Sequence, residues 1–65
     1  MSWKAEFLVE GKWYPNQVAF KTRTEARAYG LNKFMNWTQP TDWRVVGSDE
    51  SVNYAMVDGE LKALS

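Results

Sequence analysis

The sequence lacks cysteine and histidine altogether. Without cysteine the chain has no disulfide, no thiolate zinc site and no thiol nucleophile. Without histidine it lacks the commonest metal ligand and the usual general base of enzymes. We therefore expect no bound metal and no cofactor, and we predict that the protein is not an enzyme.

The acidic residues show no catalytic or metal-binding pattern. Asp49 and Glu50 fall in a predicted polar turn, and Asp58 and Glu60 follow near the same end of the chain. Their spacing matches neither an EF-hand loop nor a catalytic pair of carboxylates. We expect these side chains to be solvated, and we name no catalytic, cofactor-binding or metal-binding residue.

Long apolar runs are also missing. No stretch approaches the roughly 20 apolar residues that cross a bilayer, and the N-terminus MSWKAEF lacks the pattern of a signal peptide. The sequence therefore predicts a cytoplasmic protein without membrane contact. At 65 residues it is predicted to form a single small domain, residues 1–65.

Aromatic residues are abundant by contrast, with four tryptophans, three tyrosines and three phenylalanines. Each such side chain can bury about 150–250 Å², so a few large side chains can build the core of so short a chain. The alternative for some of the tryptophans is a contact surface for a partner.

The formal charge is zero, but the charges are unevenly placed along the chain. Residues 12–44 hold six basic and two acidic residues, and residues 45–65 hold one basic and four acidic residues. The balance is therefore +4 in the first segment and −3 in the second, with −1 from residues 1–11. Overall neutrality argues against a dedicated DNA-binding protein, because phosphate contacts dominate the affinity of such proteins.

The segment Thr22 to Trp37 is the only one with the pattern of a helix. Thr22 and Glu25 have the spacing of a capping box, in which the threonine oxygen accepts the Glu25 N–H. One apolar stripe of this helix carries Ala26, Gly30, Phe34 and Trp37. A glycine inside a helix costs about 1 kcal/mol relative to alanine, so Gly30 on that stripe predicts close packing against a sheet.

Five strands are predicted around the helix. They cover residues 3–10, 13–21, 42–47, 52–57 and, as a short and frayed strand, 60–64. Pro15 interrupts the second strand, which favours a sheet edge, and a bulge there would let Trp13 and Phe20 face one core. The third strand is apolar on both faces and is predicted to be central. Asp58 and Gly59 predict a tight hairpin turn that places Met56 opposite Leu61.

The predicted fold class is α+β. A single antiparallel sheet of four or five strands, ββαββ(β), has the order 2-1-3-4 with the fifth strand outside the fourth, and one helix packs on one face. The other face of the sheet is left open, and we expect function there.

The open face and its edge are the predicted partner-binding surface. Its candidate residues are Leu8, Trp13, Tyr14, Arg44 and Val46. Tryptophan, tyrosine and arginine are the residue types that concentrate binding energy in protein interfaces.

A basic group around the helix suggests an alternative. Lys21, Arg23, Arg27 and Lys33 could, together with the positive end of the helix dipole, hold an anion or a stretch of nucleic acid. In that case the aromatic residues of the sheet would stack on bases. The less specific interpretation is a solvated helix face.

The most distinctive block is DWRVVGSDESVNY at residues 42–54, preceded by KWYPNQVAF at 12–20 and TRTEARAYG at 22–30. Over roughly residues 7–59 the chain resembles a family of short tailed-phage proteins of unknown function. Such proteins often carry a proline where Ser51 stands here, so that turn differs. The resemblance implies a protein made inside an infected host cell, and it supplies no active-site residues to carry over to this chain.

Two function classes follow from these observations. The favoured one is a non-catalytic phage accessory protein that binds and modulates a host or phage protein. The alternative is a small nucleic-acid-binding module, and self-association into a structural component is a third possibility.

Overall fold

The computed structural model describes residues 1–15 and 17–64. In chain order the elements are β1 (Ser2–Val9), β2 (Lys12–Pro15), α1 (Arg23–Asn36), β3 (Asp42–Ser48), β4 (Tyr54–Val57) and β5 (Glu60–Ala63). The predicted α+β class is confirmed, and the fifth strand forms.

Strand β1 is the middle of a three-stranded antiparallel sheet with the order β2-β1-β3. Phe7 at its centre lies opposite Tyr14 of β2 and Trp43 of β3. The turn between β1 and β2 is made by Glu10 and Gly11, whose φ angles of 51° and 80° are those of a type I′ hairpin.

The helix begins and ends where the sequence predicts. Thr22 is its N-cap, and the threonine Oγ1 accepts the Glu25 N–H at 3.2 Å. Trp37 is the C-cap, with extended backbone angles. Pro40 follows shortly after and cannot continue a helix.

Gly30 lies where the helix crosses the sheet, as predicted. A Cβ atom added there would lie 2.6 Å from two ring carbons of Trp43 and 3.2 Å from the Ala5 Cβ. The helix backbone therefore rests directly on β1 and β3, and the core between them contains the buried Phe7 and Phe20.

The second strand is shorter than predicted. It ends at Pro15, and among the described residues that follow, Phe20 pairs with β1, exchanging two 2.8 Å backbone hydrogen bonds with Trp3. The predicted bulge near Pro15 involves Asn16, which lies outside the described residues. Trp13 and Phe20 do not share a core: Trp13 lies opposite Leu8 on the face away from the helix, and Phe20 contacts the helix.

The predicted single sheet is wrong, because β4 does not pair with β3. β4 and β5 form a separate two-stranded sheet, and the order 2-1-3-4 therefore stops at β3. The N–H groups of Asn53 and Tyr54 instead donate to the Ala19 carbonyl, at 3.1 and 3.3 Å. As a result β3, predicted to be central, is an edge strand of the three-stranded sheet.

The chain after β3 reaches its new position by crossing the sheet face opposite the helix. Ser2 Oγ donates to the Glu50 carbonyl at 2.7 Å, and the Lys4 ammonium contacts the Glu50 carboxylate at 2.6 Å. Asn53 then accepts the Ala19 N–H at 2.7 Å. Glu50 is solvated as expected, with its side chain 64% exposed, and it also contacts Lys4 from this crossing segment, residues 49–53.

The β4–β5 hairpin has the predicted turn and register. Asp58 and Gly59 have φ angles of 52° and 79°, and Met56 lies opposite Leu61. The hairpin is held to the helix N-terminus by Glu25, whose carboxylate accepts the Met56 N–H at 3.0 Å.

Candidate functional site

The sheet face opposite the helix is the candidate site, and its residues follow from the strand register. Leu8 lies opposite Trp13, Glu6 opposite Arg44, and Lys4 opposite Val46. Directly opposed residues share a face, and alternate residues such as Phe7 face the helix. We call the five residues Glu6, Leu8, Trp13, Arg44 and Val46 the open face.

A stacked guanidinium lies at the centre of the open face. The Arg44 Cζ is 4.1 Å from the centroid of the Trp13 ring, which is within the range of a cation–π contact. The Arg44 Nε and Nη2 atoms both lie 2.7 Å from Oε1 of Glu6. Three strands thus contribute one residue each to this stack: Glu6 from β1, Trp13 from β2 and Arg44 from β3.

The guanidinium is held by contacts on two sides and is still open to solvent. The Arg44 side chain is 49% exposed, whereas Glu6 is only 17% exposed. Charge-assisted hydrogen bonds and aromatic stacking restrict the arginine without the cost of full burial. A partner would therefore meet an arginine whose orientation is already set.

The other end of the same face is covered. Ser2 is completely buried and the Lys4 side chain is 8% exposed, because the crossing segment passes over them. The accessible part of the face is therefore the part near β2, around Trp13 and Arg44.

Four of the five predicted partner-binding residues are brought together on this face: Leu8, Trp13, Arg44 and Val46. Leu8, Trp13 and Val46 are half-buried and Arg44 is exposed. Tyr14 lies elsewhere. It shares the helix side of the sheet with Phe7 and lines a shallow depression with Val9, Trp37 and Gln39.

Two basic residues of the alternative, Arg23 and Lys33, lie at opposite ends of the helix. Arg23 lies near Trp3 at the start of the helix, with its Cζ 5.9 Å from the ring centroid. Lys33 lies near the end of the helix, 5.9 Å from the Tyr29 ring centroid and 5.6 Å from that of Trp37. Ten helical residues span about 15 Å, so these two cations are well separated along the axis.

Sequence reasoning missed two residues of this region. Neither Glu6, which contacts Arg44, nor Lys4, which contacts Glu50, is among the candidate residues predicted from the sequence. The contact of Glu6 depends on its pairing with Arg44, which lies 38 positions away in sequence. The contact of Lys4 depends on the crossing segment, which brings Glu50 to it. The opposite charges of Glu6 and Arg44 are a usable signal only once the β1–β3 register is known.

The open face offers an exposed arginine and an aromatic ring as contacts for a binding partner. Among residues 1–15 and 17–64, no three residues of the types His, Cys, Asp and Glu are grouped so that they could hold a metal ion. No described helix has the length and apolar character needed to cross a membrane. Comparison of the chain with protein-family models, curated proteins and solved structures finds no match.

Proposed function

We propose that the protein is a non-catalytic accessory protein of the phage type that binds and modulates a host or phage protein through its open face. The observation that carries the proposal is the Trp13–Arg44–Glu6 stack. The resemblance to short tailed-phage proteins supports the phage setting, and with it the host-cell cytoplasm as the place of action.

The composition of the open face supports a protein partner. Tryptophan and arginine dominate the binding energy of many interfaces, because they bury a large area or form forked hydrogen bonds. Here Leu8 and Val46 flank them with apolar surface that a partner could cover. The Glu6 carboxylate neutralises part of the charge, which suits a protein surface better than a phosphate backbone.

The proposal is tested by capture of a partner from bacterial lysate, followed by titration of the purified partner. We expect Trp13→Ala and Arg44→Ala each to weaken the affinity at least tenfold, corresponding to about 1.4 kcal/mol or more. Both variants should keep the fold, because the two side chains lie outside the core beneath the helix.

Tyr14→Ala is the matched control, since it removes a neighbouring exposed aromatic from the opposite side of β2. Its affinity should stay close to that of the wild type. If Tyr14→Ala weakens binding as much as Trp13→Ala, the open face is not the interface.

A measurement of oligonucleotide binding distinguishes the nucleic-acid-binding alternative from the protein-binding proposal. We expect none at near-physiological salt, where weak non-specific binders have dissociation constants of roughly 10⁻⁴–10⁻⁶ M. Micromolar, strongly salt-dependent binding that is lost when Lys21, Arg23 and Arg27 are substituted would replace the protein-partner proposal by a nucleic-acid-binding one.

A further inference from the structure

The β5 strand is an incomplete sheet edge. All four of its residues, Glu60–Ala63, are exposed, and among residues 1–15 and 17–64 its only strand partner is β4. Two-stranded sheets are marginally stable in water, and additional strands stabilise them. Leu61 and Leu64 are 40% and 52% exposed at this edge, so apolar surface also remains uncovered there.

The direction of each β5 backbone group follows from the turn. A two-residue turn makes Val57 and Glu60 a hydrogen-bonded pair, and bonded pairs then recur at every second residue. The Leu64 N–H donates to the Asn53 carbonyl at 2.9 Å, in agreement with this alternation. The N–H and C=O groups of Leu61 and Ala63 therefore point away from β4.

The outer edge of β4 forms hydrogen bonds with other parts of the chain, whereas the outer edge of β5 does not within the described residues. On β4, the Tyr54 N–H donates to the Ala19 carbonyl and the Met56 N–H to the Glu25 carboxylate. Within the described part of the chain, no backbone hydrogen bond joins β5 to any element other than β4. The β5 edge is thus the side on which this sheet can grow.

We propose that a second copy of this chain pairs antiparallel with the β5 edge, with Leu61 on the two-fold axis. In this register the Leu61 N–H of each copy donates to the Leu61 carbonyl of the other. Glu60 then lies opposite Lys62 of the second copy, and Lys62 opposite its Glu60. The two hairpins become one four-stranded sheet, β4-β5-β5-β4.

Charge complementarity selects both the occupant and the register. Glu60 and Lys62 already form an ion pair along one strand at 3.3 Å, so pairing produces a ring of four alternating charges. Shifting the axis to Lys62 would place the two lysines directly opposite each other, which is unfavourable. Shifting it to Ala63 would leave both Lys62 side chains opposite Leu64 without an acidic partner.

The expected dimer is weak and salt-dependent, because four-residue edges bury little area compared with stable interfaces. It involves none of the open-face residues, so it is independent of the proposed function. Sedimentation of the purified full chain between about 10 µM and 1 mM measures the association directly.

Charge reversal gives the decisive test. Glu60→Lys and Lys62→Glu should each weaken self-association at least about tenfold, because every cross-strand pair becomes a like-charge pair. An equimolar mixture of the two variants should associate as strongly as the wild type, because each Glu60→Lys strand then faces a Lys62→Glu strand. The double variant Glu60→Lys/Lys62→Glu should also recover self-association.

Glu10→Lys, in the exposed turn of the other hairpin, is the matched control and should leave association unchanged. Both reversals change side chains that are more than half exposed, so the fold is retained. A wild type that stays monomeric at about 1 mM overturns the proposal. So do single reversals that associate like the wild type, or a mixture that does not recover association.

Discussion

Gly30 sets the distance between the helix and the sheet. We predict that Gly30→Ala destabilises the protein by about 1–3 kcal/mol, because the clash with the Trp43 ring outweighs the gain in helix propensity. Chemical denaturation measures this change.

Gly47→Ala is the matched control for that substitution. Its Cβ would meet the Met1 Cε at 3.6 Å and a Trp3 ring carbon at 3.9 Å, which are ordinary contacts. We expect no loss of stability at Gly47. Gly30→Ala with an unchanged midpoint would mean that the helix does not rest on Trp43.

Glu25 is the residue that couples the helix start to the hairpin. The Met56 N–H, and then the Thr22 side chain and backbone with Lys21, lower the pKa of the Glu25 carboxyl below its ordinary value, against an opposing effect of burial. Because the pKa of Glu25 is lower in the folded state, its ionised form stabilises the protein at pH values above the unfolded-state pKa of about 4.3. This contribution is lost as the pH falls through the folded-state pKa.

We therefore predict that Glu25→Gln is less stable than the wild type at pH 7 and that the difference shrinks at pH 3. The amide oxygen of the introduced glutamine can still accept the Met56 N–H, and its NH2 group can donate to the Thr22 Oγ1 in place of the bond that Thr22 now donates, so the main change is the loss of the charge. Denaturation at both pH values checks the prediction. An equal difference at pH 7 and pH 3 would contradict it.

At the scale of elements, the crossing segment decides where β4 and β5 lie. Its contact with the sheet depends on Glu50, which meets the buried Lys4 ammonium at 2.6 Å. We predict that Glu50→Ala lowers the free energy of unfolding by about 1–2 kcal/mol, because the buried Lys4 ammonium loses its carboxylate partner. The loss is no larger because the Glu50 side chain is exposed, and solvent screens the ion pair. Chemical denaturation of the variant measures the cost.

Asp49→Ala is the control, since Asp49 is the exposed neighbour in the same segment. It should change the free energy of unfolding by less than about 0.5 kcal/mol. Equal effects at Asp49 and Glu50 would show that the Lys4 contact does not hold the segment.

At the scale of the whole molecule, the two sheets differ in how firmly they are held. β1 is paired on both sides and carries buried residues such as Phe7, whereas β5 is exposed throughout. We predict that the amides of β4 and β5 exchange with solvent at lower free energies of opening than those of β1. Hydrogen exchange measured by NMR at low protein concentration checks this. Equal protection in the two sheets would contradict it.

Features that depend on near neighbours in the chain were predictable from the residues alone. Thr22 and Glu25 are three residues apart, so the capping geometry is local. Asp58 and Gly59 adopt left-handed angles by their own conformational preference, which sets the hairpin register. Gly30 is predictable because its propensity cost requires compensation by packing.

Which strands are neighbours depends on contacts between distant parts of the folded chain. Alternation in residues 42–57 predicts strands but carries no information on whether β4 lies beside β3 or crosses to Ala19. The crossing is stabilised by contacts of Glu50 and Asn53 with residues 34 to 48 positions away in sequence. The Trp13–Arg44–Glu6 stack likewise requires the register of three strands, because its side chains meet only after β1 has paired on both sides.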